Sequence, residues 1–186
     1  MKRPFLVFEE IQTAPRRKLF TLFGTEWTAT PYAWLSLPFW ALLGVFTALF
    51  GEHAKAIEWR LIIGVGYGVL LFLTNALHSL GHSLAGKLLG APLDGILLTA
   101  TRNVNVHKQD QFRFSKGFRI GRALGGPLSN ILFGLIGLIL WQLFAREVLL
   151  LFAWFNFAIG IFTLCPIPSL DGWVIWGELF GFRGRG

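Results

Sequence analysis

A chain of 186 residues with 54% hydrophobic, 16% aromatic and only 15% charged content is too apolar for a soluble domain of its length, and its mean hydropathy is +0.57. Its apolar residues gather into runs near the roughly 20 residues that a bilayer crossing needs, so it reads as an all-α polytopic membrane protein. The net charge of +7 does not mark a nucleic-acid partner, because the basic residues sit where membrane topology puts them, and the lone Cys165 cannot form an internal disulfide.

Four transmembrane helices are expected, over residues 31–50, 61–85, 120–144 and 148–164. Of the 17 Lys and Arg residues, five precede the first span, seven lie between the second and third, and two close the chain. Only Lys55, Arg60 and Arg146 fall in the other loops. By the positive-inside rule both termini are cytoplasmic, and the expected location is the inner membrane of a bacterium or archaeon. No cleavable signal peptide is evident, since the first apolar run is too long for one and lacks a basic segment immediately before it.

Residues 1–30 read as an interfacial segment on the anionic inner leaflet, with Arg16-Arg17-Lys18 between short apolar pieces. Leu19–Thr30 carries Thr, Trp and Phe and could form a strand or hairpin. The first span brings Trp34 and Trp40, which read as interfacial anchors, and His53 in the loop after it reads as solvated. The second span ends in Asn75-Ala76-Leu77-His78-Ser79-Leu80-Gly81-His82. Imidazoles at i and i+4 lie one turn apart on one face of a helix, the spacing that offers two nitrogens to one metal ion. Inside an apolar segment such a pair is costly unless it coordinates something or meets a polar cavity; hydrogen bonding at a helix end is the other reading. The zinc-protease pattern H-E-x-x-H places a Glu general base between the histidines, and here Ser79 holds that position.

Residues 96–107 alternate loosely and are β-prone, with Arg102-Asn103 as a turn. Either a small cytoplasm-side β-hairpin with an edge open to an extended peptide, or a disordered basic loop, fits them, and His107 reads as a surface residue. Gly125-Gly126-Pro127-Leu128-Ser129-Asn130 opens the third helix, with the proline in its first turn. A buried Asn130 needs partners, and would either join helices or line a polar cavity. After the fourth span, Pro166-Ile167-Pro168 ends the helix, and Asp171 arrives on the same side as the two histidines. Asp171 could cap a short helix over Trp173–Phe180. Two histidines and a carboxylate also form a zinc triad with a fourth position left open, and the topology alone gathers all three to one leaflet.

On these residues the chain resembles the site-2 protease family of intramembrane zinc metalloproteases, over roughly Leu19 to Gly172. The likeness rests on His78-Ser79-Leu80-Gly81-His82, on Gly126-Pro127-Leu128-Ser129-Asn130 and on Pro166-Ile167-Pro168-Ser169-Leu170-Asp171-Gly172, in that order on successive spans. It implies a three-helix core of the second, third and fourth spans within residues 31–172, followed by an interfacial segment at 173–186. It implies one zinc ion held by His78, His82 and Asp171, with Asn130 lining the site, and transmembrane segments of other proteins as substrates. Against the family pattern, the Glu expected at 79 is Ser, the Asn expected at 163 is Thr, and the second of two prolines expected at 168 and 169 is Ser169. The glycine pair usual near residue 100 is also absent.

A serine hydroxyl cannot accept a proton as a carboxylate does, and losing a general base costs about 10²–10⁴ in rate. The expected function is therefore a zinc-binding pseudoprotease that holds transmembrane clients without efficient cleavage. An active intramembrane metalloprotease with another base, for which Glu178 is the nearest carboxylate, and a metal-free membrane scaffold are the alternatives.

Overall fold

The computed structural model describes residues 13–90, 92–106 and 114–181. The order of elements is β1 (Arg17–Leu22), β2 (Thr25–Ala29), α1 (Ser36–Gly51), α2 (Ile57–Leu88), β3 (Gly95–Leu98), β4 (Asn103–Val106), α3 (Lys116–Phe144), α4 (Glu147–Thr163) and α5 (Asp171–Phe180). Three helical segments, Ala33–Gly51, Ile57–Leu88 and Lys116–Phe144, are long and apolar enough to cross a membrane. Their outward faces carry side chains such as Leu42, Phe46, Ile62, Val69 and Leu143, all more than half exposed, which is the surface of an integral membrane protein. The fourth expected span is α4, whose 17 residues extend about 25 Å, somewhat less than a full hydrocarbon core.

The strand-prone segments do not remain separate hairpins. Phe23 and Gly24 both take positive φ (48° and 71°), the turn that joins β1 to β2 antiparallel. β2 then runs parallel to β3, from Glu26 opposite Gly95 to Ala29 opposite Leu98. β3 and β4 complete a four-stranded sheet in the order β1-β2-β3-β4. Strands from Arg17–Ala29 and from Gly95–Val106 thus share one sheet. Trp27, Leu93 and Ile96 form its small core, with Ala76 of α2 packed against them. The hydroxyls of Thr25 and Ser83 hydrogen-bond to each other and fix β2 to the last turns of α2. His107 lies outside the described residues.

One helix start differs from expectation. α3 begins at Lys116, capped by the Ser115 hydroxyl, which accepts from the Phe118 N–H at 3.3 Å. Pro127 therefore sits well inside the helix rather than in its first turn. Having no N–H, it leaves the carbonyl of Ala123 without its usual helical donor. Close approach of α2 and α3 occurs at this height: a Cβ on Gly125 would lie 2.5 Å from the Ala85 Cβ and 2.7 Å from the Gly81 carbonyl oxygen.

α5 begins at Asp171, two residues before the expected start, and its position is set from three sides. Arg119 of α3 grips Glu178 with two hydrogen bonds, Nε to Oε1 at 2.8 Å and Nη2 to Oε2 at 2.6 Å. The Trp176 indole donates to the Leu164 carbonyl at 2.8 Å. At Gly172 any side chain would collide with the carbonyl oxygens of Leu164 and Cys165.

Candidate metal centre

Helical spacing puts the His78 and His82 rings side by side, centroids 4.8 Å apart and nearly perpendicular. Their Nε2 atoms are 3.1 Å from each other. Asp171, carried in by α5, places Oδ2 3.0 Å from His78 Nε2 and Oδ1 3.2 Å from His82 Nε2. All three side chains are largely withdrawn from solvent, at 12%, 6% and 19% exposure. They are the cluster of metal-ligating side chains found among the described residues.

The second ring nitrogen of His82 shows how its tautomer is fixed. Nδ1 lies 2.9 Å from the Arg122 carbonyl oxygen and 3.3 Å from the Gly126 nitrogen. These contacts ask for opposite protonation of Nδ1. The shorter one, to a group that can only accept, assigns the proton to Nδ1 and leaves Nε2 as a lone pair. An imidazole held through its far nitrogen by a backbone carbonyl is the usual support of a metal ligand.

Chemistry and space both fit a zinc ion. Neutral imidazole nitrogens and a carboxylate packed together in a dry site repel unless a proton or a cation stands among them. Ligand atoms at about 2.0–2.1 Å from zinc in a tetrahedron lie about 3.3 Å from one another. The two Nε2 atoms, 3.1 Å apart, are close to that edge, and each faces a different oxygen of Asp171, at 3.0 and 3.2 Å. Gly126 keeps the room open: a Cβ there would overlap the Nε2 atoms of both histidines.

Beside the triad lies a cavity of about 360 Å³, reached by α1, α2, the β3–β4 turn, α4 and the Pro166–Leu170 segment. Ser79 is on its wall, 3% exposed, with its hydroxyl donating to the Asn75 carbonyl at 3.1 Å. Thr163 and Ser169 also line it. Ser169 has φ 77°, a conformation closed to proline. Asp171 is the only carboxylate among the described lining residues. Glu178 is not there; it is engaged by Arg119.

Asn130 is fully buried, and neither of its side-chain polar atoms has a partner in the structure. It packs where α3 meets Gly160 of α4, and it is not among the residues lining the cavity. His53 is exposed, as expected of a loop residue. Two residues on the wall carried no sequence signal for it. Trp40 had the pattern of an interfacial anchor, and Arg102 that of a turn residue.

The chain is 32% identical over 109 residues to a zinc metalloprotease of Methanocaldococcus jannaschii, a match that takes in 56% of this chain and 31% of that protein. The chain thus spans about a third of that relative's length. Its fold matches the solved structure of the site-2 protease from the same organism with a TM-score of 0.62 and 22% identity, over 92% of this chain and 74% of the other. No family model matches the chain.

Proposed function

With membership of the site-2 protease family supported by the metalloprotease relative and the shared fold, we propose that this chain is a zinc-binding pseudoprotease of the membrane. It holds transmembrane segments of other proteins without cleaving them efficiently. One observation supports the reading: His78, His82 and Asp171 converge closely enough to hold a metal ion, while the described residues lining the cavity beside them include no carboxylate other than Asp171.

In this reading His78, His82 and Asp171 hold the zinc ion. A bound zinc ion supplies Lewis acidity at the cavity wall. His82 is kept in its ligating tautomer by the Arg122 carbonyl. Ser79 stands one residue from His78, yet its hydroxyl proton is spent on the Asn75 carbonyl and it has no useful basicity near neutral pH. Among the described lining residues, no side chain outside the triad is therefore suited to take up a proton as efficient hydrolysis requires. The basic residues favour a four-span topology with both termini in the cytoplasm.

Elemental analysis of the purified protein tests the metal, with His78→Ala and Asp171→Ala alongside. About one zinc per chain is expected, lost in both variants; no zinc in the parent protein would favour the metal-free scaffold. Ser79→Glu tests the missing base: zinc-loaded variant protein is expected to cleave a transmembrane substrate about 10²–10⁴ times faster than the parent. Equal rates with zinc in place would refute the view that only the base is lacking.

A further inference from the structure

A side-chain hydrogen bond joins α2 to α4 one helical turn before His78. Thr74 and Asn156 are both fully buried. Asn156 Nδ2 donates to the Thr74 hydroxyl at 3.3 Å and to the Phe152 carbonyl at 2.9 Å. The carbonyl can only accept, which assigns the nitrogen to that side of the amide. Asn156 Oδ1 is left buried without a partner, so a leucine of similar shape would cost less if the residue served packing alone. Thr74 precedes His78 by four residues and so shares its face of α2.

Elsewhere α4 is held by small residues and rings. The Phe157 ring lies against Gly134 of α3, Ala153 sits against Gly137, and Gly160 abuts the Pro127 carbonyl. Tyr67 of α2 meets Phe155 edge-on, with ring centroids 5.8 Å apart. Contacts of this kind set how near two helices come, whereas a directional hydrogen bond selects which residues meet. A slip of one residue would turn α4 by about 100°. Asp171 follows the end of α4 after one short segment, so an error of register at Asn156 is passed on to it.

We propose that Thr74 and Asn156 are positioning residues for the candidate metal centre. Their hydrogen bond sets the register of α4 against α2, and with it the point at which Asp171 meets His78 and His82. The placement of Asp171 needs no metal, whereas the consequence for zinc rests on the function proposed above.

The test uses the full chain in lipid nanodiscs. Thr74→Val and Asn156→Leu remove the bond with shape nearly kept, and Thr74→Ser keeps it. Spin labels at Leu88→Cys on α2 and Phe180→Cys on α5, both exposed positions, report the distance between these helices in chelator, in a Cys165→Ser background. A wider distance distribution is expected in Thr74→Val and Asn156→Leu, and the parent distribution in Thr74→Ser. Zinc affinity, measured by competition with a chelating dye, should fall about threefold or more in each of the two variants and no further when they are combined. Thr74→Ser should bind zinc as the parent does. Thr47→Val removes a hydroxyl that bonds the Leu43 carbonyl within α1, and it should leave both readouts unchanged. Lower thermal stability with unchanged distances would mean that the bond only joins the helices, and overturns the proposal. Zinc held equally tightly by the parent, Thr74→Val and Asn156→Leu overturns it and leaves the metal reading standing. No zinc in the parent overturns the metal reading, and the spin-label distances then decide the placement of Asp171 by themselves.

Discussion

The Gly126→Ala substitution probes the centre without touching a ligand. A Cβ at this position would lie 2.5 Å from His78 Nε2, 2.6 Å from His78 Cε1 and closer still to His82 Nε2. Ordinary van der Waals contact is about 3.5–4.0 Å, so both rings must move away from the point where they converge with Asp171. Overpacking of this kind costs about 1–3 kcal/mol. Two other effects of the substitution arise within α3 itself. Alanine gains about 1 kcal/mol in helix propensity over glycine, and it is crowded by the proline that follows. A mutant cycle removes both, because they persist when the histidines are gone. Thermal unfolding in chelator should show Gly126→Ala costing about 1–3 kcal/mol more in the parent chain than in a His78→Ala, His82→Ala background. Zinc per chain should fall in the single variant. Equal costs in the two backgrounds together with undiminished zinc would refute the view that Gly126 holds the ligand space open.

Two further substitutions act on the elements that deliver Asp171. Ser169→Pro should destabilise the protein by more than about 1 kcal/mol, because its φ of 77° is closed to proline, while Ser169→Gly should be neutral or stabilising; denaturant or thermal unfolding checks the order, and a tolerated proline would refute it. Arg119→Gln removes the paired hydrogen bonds to Glu178 at the far end of α5. Zinc should then leave for a competing chelator roughly tenfold faster, equivalent to about 1.4 kcal/mol of lost positioning, and unchanged release would mean that α5 is held well enough by its other contacts.

The convergence of His78, His82 and Asp171 is legible because its two main constraints are local. The i,i+4 spacing fixes the relation of His78 to His82 within one helix, and the Pro166-Ile167-Pro168 break fixes where α4 stops, which is what brings Asp171 back to them. Features set by distant parts of the chain were harder to read. β2 and β3 pair across the whole α1–α2 hairpin, and no short-range pattern encodes which strand-prone segments will meet. Trp40 has the composition of a lipid-facing anchor and Arg102 that of a polar turn, so only tertiary packing reveals that both reach the cavity. The sequence favours Pro127 in a first turn, where prolines are common. The helix instead starts at Lys116, since the Ser115 cap and the close contact between α2 and α3 outweigh the loss of one backbone bond. For Asn130 the sequence leaves two readings open, joining helices or lining a cavity, and its Cβ lies against Gly160 of α4.

The parallel pairing of β2 with β3 also imposes an order of assembly. β1 and β2 are made first, yet the strand that β2 needs comes only after α1 and α2, so the early hairpin waits with half of its ladder unpaired. Contacts that distant in sequence form late, because the intervening chain must be organised before they repay its entropy. Trp27, only 5% exposed in the finished fold, closes over Ile96 and Leu93 at that step. Ser83, bonded to Thr25, lies one residue beyond His82. The β1–β2 hairpin thus rests on the same turn of α2 that carries the candidate ligands, so the sheet and the site share one support.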